Sequence, residues 1–127
     1  MQTNALAQII SPVHALLHKV AAPPMESVGI QPERVSCYYS VSRQREPKFV
    51  ELVKRLLAID ETFELRSPLC VFVSRSVKLT GTDSLDYSEW QVQFQVNRYD
   101  RTDEEVADVV HKQVEALIFE MESFLYD

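Results

Sequence analysis

Apolar side chains recur along this chain with two different periods, and the periods divide it into helices and strands. Leu6, Ile9, Ile10, Val13, Leu16, Leu17 and Val20 fall at three-and-four spacing, which is one face of a helix. Pro12 lies inside that stretch. Either the helix kinks there, or Ser11 caps a second segment that opens on Pro12. From Ala21 to Pro32 the pattern stops, and Pro23, Pro24, Gly29 and Pro32 predict a loop crossing the surface. Val35, Cys37, Tyr39 and Val41 then alternate with Ser36, Tyr38 and Ser40, the period of a half-buried strand. Glu46-Pro47 opens a second helix with the stripe Phe49, Val50, Val53, Leu56 and Leu57, fading near Ile59-Asp60.

In the second half, Leu69 to Val73 is apolar at every position, which predicts a strand covered on both faces. Val77 and Leu79 carry the alternation further. Thr80 to Glu89 is a polar connection, long for a hairpin. Trp90, Val92, Phe94 and Val96 alternate with Gln91, Gln93, Gln95 and Asn97, the clearest strand in the chain. Thr102-Asp103-Glu104-Glu105 is a capping box. It leads into a stripe of Val106, Val109, Val110, Val114, Leu117, Ile118, Met121, Phe124 and Leu125, a helix of about six turns. The expected fold class is therefore α+β, in the order α-β-α-β-β-α, with helices packed on a small, mostly antiparallel sheet. No segment repeats, and residues 1–127 read as one domain.

Composition narrows the work such a domain can do. Only 2 of the residues are Gly, which leaves no scope for a glycine-rich phosphate loop. The net charge is −6, and the excess lies in the second half: residues 1–64 hold seven basic and seven acidic side chains, residues 65–127 six and twelve. Sequence-independent nucleic-acid binding needs clustered cations, and this balance points the other way. A basic strip of Arg43, Arg45, Lys48, Lys54 and Arg55 reads first as a solvated helix face, and second as a contact surface. The N-terminus lacks the basic region of a signal peptide, and no apolar run reaches the length of a membrane span. The expected compartment is a reducing cytoplasm, or a particle assembled there.

No constellation of an enzyme stands out. His14 and His18 share a helix face but have no acidic third ligand beside them, and two rings flanking an apolar stripe need no metal. His111 reads as structural too. Cys37 and Cys70 lie in strand-like runs, where a thiol behaves as a small hydrophobe. Asp83 and Asp86 sit in the polar connection without histidine support. The expectation is no enzyme, no metal and no cofactor. What stands out is a surface: Gln91, Gln93, Gln95 and Asn97 are uncharged amides where solvated strands usually mix in Lys or Glu. Amides can be buried on a partner without desolvating a charge. The expected protein interface comprises these four residues, together with Asp83, Asp86 and Glu89 meeting Arg43, Arg45 and Arg75 of an adjacent copy.

From Phe49 to about Phe119 the helix, the Ser-Pro-Leu-Cys-Val-Phe-Val strand, the polar connection, Glu-Trp-Gln-Val-Gln-Phe-Gln-Val and the closing helix resemble bacteriophage tail-terminator and head–tail joining (neck) proteins. The resemblance covers a little over half the chain and implies a virion structural protein. Its copies would form a ring between neighbouring neck or tail proteins, with nucleic acid and membrane not its primary ligands. The alternative is a small acidic cytoplasmic binding protein, such as a secretion chaperone, an immunity protein or an inhibitor.

Overall fold

The computed structural model describes residues 5–22, 27–31, 33–76 and 87–126. Three helices and four strands follow in the order α1 (Ala5–Ala21), β1 (Ser27–Gln31), β2 (Arg34–Ser42), α2 (Glu46–Asp60), β3 (Leu69–Ser76), β4 (Tyr87–Val96) and α3 (Asp103–Tyr126). The strands form one antiparallel sheet in the order β1-β2-β4-β3. The α+β class is as the periodicity predicts. One strand more is present, because β1 lies within the stretch that reads as a loop. Its alternation of Val28 and Ile30 with Gly29 and Gln31 spans only five residues. It sits at the sheet edge, where a neighbouring proline need not donate to a ladder.

All three helices cover the same face of the sheet. Val35, Cys37, Tyr39 and Val41 of β2, Val92, Phe94 and Val96 of β4, and Leu69 and Val71 of β3 point into them and are buried. A file of rings crosses this layer: His14 beside Tyr39 at 5.5 Å, Tyr39 beside Phe49 at 5.5 Å, and Phe49 edge-on to Trp90 at 5.4 Å. The Tyr39 hydroxyl, carried into the core, is satisfied by His14 Nδ1 at 2.6 Å.

Pro12 neither divides α1 nor ends it. Proline has no N–H for the carbonyl of Gln8, one turn back. The Ser11 hydroxyl donates to that carbonyl instead, at 2.9 Å. The start of α3 follows the capping box: Glu105 N–H donates to Thr102 Oγ1 at 3.2 Å, and the Thr102 hydroxyl to the Glu105 carboxylate at 3.1 Å. Val106, Val110, Val114, Leu117 and Met121 of α3 are buried, and their burial contributes on the order of 10 kcal/mol before conformational entropy.

A polar residue interrupts that stripe. Gln113 is buried, its amide accepting from Leu69 N–H at 3.0 Å and donating to Leu69 C=O at 3.2 Å. Leu69 lies on an edge strand, so both groups would otherwise be left unpaired in the core.

Candidate protein-docking face

Among the described residues, the opposite face of the sheet carries no helix. Ladder register places Gln31, Arg34, Gln95 and Cys70 in one row across the strands. The next row is Gly29, Ser36, Gln93 and Phe72, and a third is Tyr38, Gln91 and Ser74. Glu89 lies opposite Ser40 in the row beyond. Among the described residues of this face only Arg34 and Glu89 are charged, and they stand at opposite ends of the strands. Phe72 is 53% exposed and Tyr38 41%, one on each side of the central glutamines. Among the described residues, Leu69–Val73 is therefore covered on one face only. Its unbroken apolar run marks an aromatic ring presented to the outside, not a second buried surface.

The amides of β4 lie on this open face as expected. They also bond to each other along the strand. Gln93 Nε2 donates to Gln95 Oε1 at 3.5 Å and Gln95 Nε2 to Asn97 Oδ1 at 3.4 Å. Asn97 Nδ2 meets Cys70 Sγ at 3.9 Å. The file is held in one orientation, while each amide keeps unused donor and acceptor capacity. Burial pushes the Cys70 thiol up, the charge of Asp60 adding to it, so the sulfur at this edge stays protonated.

The charged partners expected for this face are placed otherwise. Arg75 grips Glu46 of its own chain with two hydrogen bonds, 3.1 and 3.3 Å, and donates to Ser88 Oγ at 3.0 Å. Trp90 Nε1 donates to the same carboxylate at 3.2 Å, and the Arg75 guanidinium lies 5.8 Å from the Trp90 ring centre. Glu89 accepts from Ser40 Oγ at 2.6 Å and belongs to β4, not to the connection before it. Arg75 and Glu89 thus both make contacts within the chain's own sheet. Partial burial pushes the Glu46 carboxyl up, but the hydrogen bonds from Arg75, Ser88 and Trp90 and the Arg75 charge outweigh it. They hold Glu46 below the usual carboxylate range. Arg43 and Arg45 lie beyond the open face, at the start of α2. Asp83 and Asp86, with Val77 and Leu79, fall outside the described residues.

Among the described residues, no group of three or more His, Cys, Asp or Glu side chains is placed to hold a metal ion. None of the described helices is long and apolar enough to cross a membrane. No protein-family model matches the chain, and neither the curated proteins nor the solved structures contain a match.

The periodicity of β4 was enough to find its amides. Tyr38 and Phe72 needed the register. Tyr38 reads as one polar partner in an alternation, and only pairing with Gln91 puts it in the same surface as Phe72.

Proposed function

We propose that this chain is a subunit of a protein assembly, and that it packs its open sheet face against other protein instead of catalysing a reaction. The observation that carries this reading is the uncharged centre of the open face. A solvated sheet face ordinarily mixes in charges that block unwanted pairing. Here serines, glutamines and two exposed aromatic rings fill the middle of a four-stranded surface. Aromatic anchors surrounded by neutral hydrogen-bonding groups are the composition of an interface centre.

The resemblance of Phe49–Phe119 to tail-terminator and head–tail joining proteins favours one form of the reading. In it the chain is a ring-forming neck subunit of a phage virion, with neighbouring neck or tail proteins against the sheet. Four strands spaced about 4.8 Å apart, and rows spread over roughly 20 Å, offer about 400 Å² in projection. That is near half of the ~800 Å² per partner of a standard stable interface. A durable assembly therefore needs a second contact surface.

The test replaces Gln93 and Gln95 together by Lys and follows assembly by light scattering across concentration. The variant is expected to keep its helix content and melting temperature and to lose the assembled species. A variant that folds and assembles as the parent does removes this face from the reading. A parent chain that stays monomeric at every concentration overturns the assembly itself.

A further inference from the structure

Three helix ends border one cleft of about 320 Å³: the close of α1, the opening of α2 and the close of α3. Lys19 of α1, Arg45 before α2 and Lys48 in its first turn line it, and no acidic side chain does among the described residues. None of the three forms an ion pair among those residues. In a chain of net charge −6, three unanswered cations around one cleft stand apart from the rest of the surface.

Two of these cations are held in place without being neutralised. Lys19 Nζ donates to the Tyr126 hydroxyl at 2.8 Å and lies 4.7 Å from the centre of its ring. Arg45 donates to the Val20 carbonyl at 3.4 Å through one nitrogen, which leaves the other donors of the guanidinium for a ligand. Lys19 stands where the negative end of α1 favours a cation. Arg45 and Lys48 stand at the positive end of α2, where cations are disfavoured. They are three residues apart and share a side of the helix, so they also repel each other. Glu46, the acid of that turn, is turned to Arg75 and Trp90 instead. The arrangement costs the free protein stability, and an anion in the cleft would restore it.

The count of charges decides which anion fits. One carboxylate is matched by one arginine and leaves two cations unanswered. A phosphate monoester brings about two negative charges at pH 7 and three acceptor oxygens, one for each cation. Val20, Leu125 and the Tyr126 ring add an apolar wall beside them. A volume of about 320 Å³ lies at the bottom of the range of small-molecule sites, roughly 300–1,000 Å³, so the uncharged body is small. We propose that this cleft binds a small phosphate monoester, such as an aryl or short alkyl phosphate. Lys19, Arg45 and Lys48 hold its oxygens, and its body lies against Val20, Leu125 and Tyr126. The site uses none of the residues of the open sheet face and stands whether or not the chain assembles.

Titration of the full chain with phenyl phosphate, inorganic phosphate and benzoate tests it, followed by amide NMR and by melting temperature. Phenyl phosphate is expected to shift the amides of Gln44, Arg45, Lys48 and Tyr126 in one saturable step and to raise the melting temperature. It should bind about tenfold more tightly than benzoate, which lacks the second charge, and more tightly than inorganic phosphate, which lacks the ring. Lys48→Gln should weaken phenyl phosphate about tenfold, yet leave the melting temperature of the free protein unchanged or higher. A lysine with a merely structural role would lower it. Arg43→Gln removes the same charge from an exposed residue that does not line this cleft, and should change the affinity by less than about twofold. An equal loss in Arg43→Gln, or shifts spread over the whole surface, would reduce the cleft to a non-specific basic patch and overturn the proposal. So would benzoate or inorganic phosphate binding as tightly as phenyl phosphate, or the absence of any saturable shift.

Discussion

The two faces of the sheet are built from the same strands and obey opposite rules. Toward the helices, Val35, Cys37, Tyr39, Val92 and Phe94 are fully buried, and every polar atom among them has a partner, as the Tyr39 hydroxyl has in His14. Away from them, at the intervening positions of the same ladders, stand Ser36, Tyr38, Gln91 and Gln93. The first face is finished. The second holds apolar rings and neutral amides at partial exposure, a composition that resembles half of an interface more than a finished surface.

The sharpest way to break that comparison is to put the same charge on both faces. Val110→Asp, on the α3 stripe against the covered face, buries an unpaired carboxylate where the side chain is wholly enclosed. It is expected to cost about 4 kcal/mol or more, enough to unfold a marginal domain. Phe72→Asp on the open face should change stability by less than about 1 kcal/mol, and suppress association instead. Chemical denaturation of both reads the difference. Equal losses would mean that the open face is packed in the isolated chain.

A smaller effect marks where the covered face is sealed. Gln113→Leu removes the amide that answers both backbone groups of Leu69. The expected loss is about 2 kcal/mol, with faster amide exchange at Leu69 than in the centre of β4. Unchanged stability would show that water reaches that rung.

The smallest effect lies at the border, where Glu46 holds Arg75 and Trp90. A carboxylate whose folded pKa lies below its unfolded one stabilises the fold above the unfolded value, and that stability is lost as pH falls through the folded one. Stability of the parent is therefore expected to decline as pH drops below about 4.5, the ordinary Glu value, and to decline less in Glu46→Gln. The pair is only partly enclosed, so solvent screening keeps the difference small. Parallel pH profiles of the melting temperature would remove Glu46 from the account.

Much of this was legible without coordinates wherever a pattern was long. The stripe of α3 and the alternation of β4 each run through many residues, and both elements lie where periodicity puts them. β1 escaped because five residues between prolines give too little period to outweigh the turn formers around them. The open side of β3 escaped for another reason. A run such as Leu69–Val73 says that both sides of a strand are apolar, and cannot say whether the second side has anything over it. The partner that Arg75 finds within its own chain escaped too, because charge partners are set by register and chain reversal. Glu46 lies far off in sequence yet within 3.1 Å.

The Gln113 amide has one more consequence, for how the sheet can grow. Offering an acceptor and a donor to a single residue of β3, it imitates one rung of a strand beyond that edge. An incoming strand cannot pair with β3 at Leu69 while that rung is occupied, so the edge is blunted where its apolar run begins. The stopper belongs to the helix that closes the fold. Loosening α3 would therefore unseat the core and uncover a templating edge in a single motion, and local unfolding of that helix is the step at which this chain becomes prone to join strands it should not.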